Sequence, residues 1–193
     1  MRHGESEANA AHVFAGRTES PLTARGREQA TVVASHLRSI PFDRIVASTL
    51  SRTKDTAAEI AKGRDVAVEI YGDLIEIDLG DAAGKPFDEM RGLPNYDRDG
   101  FTQWPGGESL EQVVTRAMRV IDRLVDQNAG QTICVVGHGG VTRILVSGFL
   151  GVLPKLIRVP ATNTSITIVT HAPGRGYMVD EMFNDAHVVQ VAE

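Results

Sequence analysis

The sequence predicts a three-layer α/β fold, an open and mostly parallel sheet with helices on both faces. Two observations carry this. Short apolar runs of strand length alternate with amphipathic stretches of helical period through most of the chain. The 193 residues are enough for one sheet covered on both sides. With 42% hydrophobic and 23% charged residues the composition is that of an ordinary globular chain, so neither disorder nor a fibrous repeat is indicated.

Taken in order, residues 23–38 place Ala30, Val33, Ala34 and Leu37 at helical spacing behind Thr23, a suitable N-cap. Residues 43–47 read as a short buried strand. Residues 51–62 read as a helix whose small side chains Ala57, Ala58 and Ala61 share a face with Ile60. Residues 66–70 form a second strand candidate. The stretch 80–107, rich in glycine, proline and charge, reads as an irregular excursion able to cover a site. Ser109 and Gln112 make a capping-box pattern that opens a long helix running toward Gly130, with Leu110, Val113, Val114, Ala117, Ile121 and Leu124 on one side. Residues 132–137 are a buried strand and 141–150 a helix. Two last strands, 165–170 and 177–183, are joined through Pro173 and Gly174.

Composition narrows the function. No run reaches the roughly 18 apolar residues of a membrane span, and no basic segment followed by an apolar stretch marks a leader. Cys134, the sole cysteine, sits in the apolar run Ile133-Cys134-Val135-Val136, which suits a core side chain in a reducing cytoplasm. A net charge of −5 without a cluster of lysine and arginine argues against nucleic acid as a partner. A homodimer is compatible with the outward helix faces, because periodicity alone does not separate a dimer patch from a solvated face.

In such a sheet, ligands bind beyond the carboxyl ends of the strands, so residues just after strands matter most. His138-Gly139-Gly140 follows the strand 132–137 directly, and Arg2-His3-Gly4-Glu5 opens the chain. Arg52 begins a helix straight after the strand 43–47, where a cation and free backbone N–H groups can meet an anion. Glu76 lies in a further apolar stretch, with Glu5, Asp73, Asp78 and Asp81 as competing carboxylates. His12, His36, His171 and His187 have no comparable setting and lack metal-ligand spacing.

These segments, in this order, resemble the histidine phosphatase superfamily, also called phosphoglycerate mutase-like, over nearly the whole chain. The resemblance implies that fold, and a metal-independent phosphatase that acts on a small phosphomonoester with no cofactor. It makes His3 the nucleophile, Glu76 the proton donor and His138 the second catalytic histidine. Arg2, Arg52, Asn9 and Gly16 would contact the phosphate or substrate. The physics agrees. A phosphomonoester dianion repels nucleophiles, and its transfer depends on in-line positioning and on charge stabilisation that arginine forks can supply. A neutral His3 could attack phosphorus, with Glu76 protonating the leaving oxygen.

The match has two departures. Family members carry an apolar strand leading into the Arg-His-Gly turn, whereas only Met1 precedes Arg2. Residues 1–193 therefore read as a single domain lacking its first strand, from a natural chain that starts upstream. Secondly, Asp81-Ala82-Ala83-Gly84 has alanine where many phosphatase-type members have tryptophan, which would widen or reshape the pocket beyond Glu76. Two alternatives stay open: a cofactor-dependent phosphoglycerate mutase, disfavoured by Ile77-Asp78-Leu79 after the acid, and a phosphate-binding module without turnover.

Overall fold

The computed structural model describes residues 1–90 and 104–188. The elements are α1 (Glu7–Ala10), α2 (Ala24–His36), β1 (Arg44–Ala47), α3 (Ser51–Ala61), β2 (Val68–Ile70), α4 (Phe87–Met90), α5 (Leu110–Gln127), β3 (Ile133–Val136), α6 (Gly139–Phe149), β4 (Ile166–Ala172) and β5 (Gly176–Asn184). Every helix and strand expected from periodicity is present to within a few residues. Thr23 accepts the Gly26 N–H, and the reciprocal Ser109–Gln112 box forms. The expected excursion 80–107 is described only at residues 80–90 and 104–107, and in the first of these a 3-10 turn at Gly80–Ala82 and the short α4 replace irregular chain. Residues 91–103 lie outside the described residues. Helix α1 was not expected, since four residues are too few to show a period.

β1 lies between β2 and β3, parallel to both. Its alternate side chains divide between the two faces. Ile45 and Ala47 join Val33, Leu37, Ala57 and Ile60 of α2 and α3, while Val46 joins Leu74 with Val120 and Leu124 of α5. Helix α6 packs on α5 through Val113, Ala117, Val141, Ile144 and Leu145. Helices thus cover both faces, as the alternating pattern requires.

β4 and β5 form a separate antiparallel pair. Met1–His3 runs between the two sheets. On one side the Met1 amine donates to Val135 O at 2.8 Å, Gly137 N to Met1 O at 2.9 Å and His3 N to Gly137 O at 3.1 Å. On the other, Arg2 N donates to Ser165 O at 3.1 Å and Thr164 N to His3 O at 3.2 Å. Next to Met1, a trough of about 480 Å³ separates Ile133 and Val135 of β3 from Thr167 and Val169 of β4.

The turn after His3 is locked onto the helices. Gly4 N donates to Thr56 Oγ1 at 3.1 Å, and Glu5 N to Gln29 Oε1 at 2.8 Å. Here the backbone of α2 comes so close that a Cβ on Gly26 would stand 1.9 Å from Glu5 O, and one on Gly4 2.4 Å from Gly26 O. Gly26→Ala is therefore expected to cost roughly 1–3 kcal/mol by overpacking. Urea unfolding at a lower midpoint would show it, and an unchanged midpoint would mean that the turn yields freely.

Candidate active site

The strand ends bring together what the sequence scatters. His3 follows the Met1–His3 link, Arg52 lies in the first turn of α3 just beyond β1, and His138 follows β3. Glu76 stands after β2 and a 3-10 turn. His3, Arg52 and His138 are all almost fully buried, and the two imidazoles meet edge to face with centroids 5.3 Å apart.

His3 Nδ1 lies 2.6 Å from Gly4 O. A carbonyl can only accept, so Nδ1 carries the proton and Nε2 keeps its lone pair. Burial pushes the pKa of His3 well below its usual value, and the positive charges of Arg2 and Arg52 push it the same way. The ring is therefore neutral at physiological pH, with a lone pair on Nε2. His138 is lowered too, first by burial and then by His3, Arg52 and Arg2.

Both arginines are held by carbonyls. Arg2 Nη1 donates to Ala161 O at 2.6 Å, and burial brings its pKa down to about 10 although Glu76 opposes the shift. Arg52 donates from Nη2 to Gly16 O at 2.8 Å and from Nη1 to Thr18 O at 3.0 Å. Gly16 turns this carbonyl toward Arg52 with φ of +51°, a conformation suited to glycine. Two nitrogens, Arg2 Nε and His138 Nδ1, are buried with no hydrogen-bond partner among the described residues. Such orphans are costly unless something fills the gap, and an anion would.

Glu76 is fixed at both ends. Its carboxyl oxygens accept from Ile77 N at 2.9 Å, Gly140 N at 3.1 Å and Val141 N at 3.2 Å, which also caps the free N–H groups of α6. Its own carbonyl accepts from Arg116 and Arg17, which both pair with Glu108. Asn9 accepts Ser6 N and Asn163 Nδ2 at its Oδ1, and Asn163 also donates to His3 O at 3.0 Å. Arg2, His3, Asn9, Gly16, Arg52 and Glu76 line one cavity of about 600 Å³, with His138 lodged against His3 just behind. Among the described residues no three His, Cys, Asp or Glu side chains are grouped to hold a metal ion.

Residues 1–184 match the family model described as histidine phosphatase superfamily (branch 1). The chain belongs to the histidine phosphatase superfamily. Within the superfamily it is 33% identical over 172 residues to the adenosylcobalamin/alpha-ribazole phosphatase of Salmonella typhimurium, covering 84% of this chain and 80% of that one. It is also 33% identical over 202 residues to the probable phosphoglycerate mutase GpmB of Salmonella choleraesuis, covering 97% and 93%. The structure of Bacillus stearothermophilus YhfR superposes with a TM-score of 0.88 at 29% identity, over 97% of this chain and 96% of that one.

In this superfamily member the outer cavity is walled on one side by Phe14, Phe87 and Trp104, whose rings pack edge to face. Ala82 is itself buried against Leu79 and Trp104, so the aromatic side of the pocket is built from other positions. Sequence reasoning missed Ser48, Arg17 and Arg116 as supports of the site, and it did not assign Asn163 a role. Ser48 had a usable signal, its position directly after a strand. The arginines had none, because which distant carbonyl they clamp is set by tertiary packing.

Proposed function

We propose that the chain hydrolyses small phosphate monoesters, without a metal, through a phosphohistidine on His3. The observation that carries this is the neutral His3, its Nε2 free, set beside the buried Arg52, the half-buried Arg2 and two buried nitrogens that lack partners among the described residues. A phosphoryl group would satisfy those nitrogens, and the guanidinium groups would stabilise the charge on its oxygens.

His3 Nε2 attacks phosphorus as the ester P–O bond breaks, and Glu76 gives its proton to the departing oxygen. Glu76 then takes a proton from water as that water attacks the phosphohistidine. The P–N bond breaks, inorganic phosphate leaves and His3 is restored. His138 donates to the phosphoryl oxygens, Arg2 and Arg52 hold them, and Asn9 and Gly16 shape the same pocket. The walls of Phe14, Phe87 and Trp104 with Ile77, Leu110 and Val113 support a small organic leaving group. The names of the relatives support phosphatase chemistry, and the buried free thiol of Cys134 supports a cytoplasmic setting.

The test is acid quenching of the chain during turnover of an aryl phosphate with a chelator present, followed by peptide mass spectrometry. One phosphoryl group on the peptide carrying His3 is expected, and turnover with no such peptide would refute the mechanism. The likeness to GpmB keeps mutase activity as a second reading. Incubation with a phosphoglycerate separates the two, since a phosphatase releases inorganic phosphate and a mutase returns an isomer.

A further inference from the structure

Ser48 follows β1 and is completely buried, yet the hydrolysis described above gives it no part. Its Oγ lies 2.6 Å from His138 Nε2 and 3.0 Å from Thr53 Oγ1. Thr53 is buried as well, with its Oγ1 2.7 Å from Leu50 O and 3.1 Å from Ser48 O. Leu50 O already accepts the N–H groups of Thr53 and Lys54 at 3.0 and 3.1 Å. The Thr53 hydroxyl can therefore turn to Ser48 Oγ without leaving that carbonyl unpaired. The hydroxyls then form a chain in which Thr53 donates to Ser48 and Ser48 donates to the ring.

The direction of that chain matters because His138 Nδ1 is buried without a partner among the described residues. A phosphoryl dianion repels a ring-nitrogen lone pair and attracts an N–H. His138 can present an N–H at Nδ1 in two ways. One is the imidazolium, which burial beside His3, Arg52 and Arg2 disfavours. The other is the neutral Nδ1–H tautomer, which needs a donor facing Nε2. The Ser48 hydroxyl stands where that donor must be.

We propose that Ser48 is a positioning residue whose hydroxyl donates to His138 Nε2 and fixes the neutral Nδ1–H tautomer. His138 then offers a donor to the phosphoryl oxygens without taking up a proton. This deepens the phosphatase reading and rests on it. The groups bearing on His138 are His3 and Arg2 from the N-terminal segment, Arg52 from α3 and Arg116 from α5. Glu76 adds its carboxyl, bonded to Gly140 N just beyond the ring. Among these groups His138 is the one that Ser48 Oγ contacts.

The direct test is a long-range ¹H–¹⁵N correlation spectrum of the full chain labelled at histidine nitrogen, with the His138 signals assigned by their loss in His138→Asn. A single proton on Nδ1 from about pH 6 to pH 8 is expected. The Nε2–H tautomer, or an imidazolium through that range, would overturn the proposal. The spectrum needs no turnover. A chain that shows the Nδ1–H tautomer but hydrolyses nothing would refute the phosphatase reading alone.

Kinetics gives a second arm. Ser48→Ala is expected to lower kcat on the order of 10- to 100-fold with little change in KM, by analogy with the range seen for hydrogen-bond partners that orient metal-ligating histidines. Its activity should fall more steeply with rising pH than that of the parent, because without the Ser48 donor the neutral ring is no longer fixed as Nδ1–H and the imidazolium becomes the form that reliably presents an N–H there. Ser48→Thr keeps the hydroxyl and should recover the parent profile. A Ser48→Ala enzyme with the kcat and pH profile of the parent would overturn the proposal.

Discussion

Replacing His3 by alanine is expected to lower turnover of an aryl phosphate on the order of 10⁴- to 10⁶-fold, measured in the presence of a chelator. The loss should be this large because no other described side chain offers a free lone pair at the same place. The second imidazole, His138, is committed to Ser48 through Nε2. Inorganic phosphate should still bind to the variant, since Arg2 and Arg52 are held by the carbonyls of Ala161, Gly16 and Thr18 and not by His3. Among the described residues the side chain of His3 makes one hydrogen bond, to the carbonyl of its neighbour Gly4, so the fold should survive and a cooperative melt will confirm it. Turnover within tenfold of the parent would remove His3 from the chemical step.

Glu76→Gln should separate esters by their leaving groups. Alkyl phosphates, whose departing oxygen must be protonated, are expected to lose roughly 10²- to 10⁴-fold in kcat/KM. An aryl phosphate with an acidic phenol needs little help in the first step. It should still release phenol in a rapid burst of about one equivalent per enzyme, while the steady state slows because the water that clears the phosphohistidine has lost its base. Glutamine can still accept Ile77 N and Val141 N through one oxygen, but its amide would face the Gly140 N–H, so the thermal midpoint must be compared alongside. Equal losses for both ester types, with the burst abolished, would show that Glu76 organises the α6 terminus and carries no proton.

Much of this was legible in the chain because it is local. The apolar period of residues 110–124 and the Ser109–Gln112 box announce α5, and the unbroken apolar run Ile45-Val46-Ala47 announces a buried strand, which the structure covers on both faces. The site was legible for another reason: Arg52 and His138 stand directly after strands, which a parallel sheet gathers at one edge. What escaped depends on distance in sequence. Nothing near Arg116 reveals that it grips the carbonyls of Asp73, Ile75 and Glu76, and nothing near Ser48 reveals a histidine 90 residues away. The effect of Ala82 could not be judged either, since the aromatic side of the pocket comes from Phe14, Phe87 and Trp104.

The Met1–His3 link also bears on when the chemistry can begin. Met1 bonds to Val135, Arg2 to Ala161 and His3 to Asn163, contacts that span 134, 159 and 160 residues. Synthesis makes His3 well before these partners, so a chain still being synthesised carries His3 without the backbone groups that aim it. Closing such long loops is slow, and the contacts that close them here are those that assemble the pocket. Competence to transfer phosphate therefore arrives late, close to the completion of folding, and a nascent or truncated chain is kept chemically silent by its own topology.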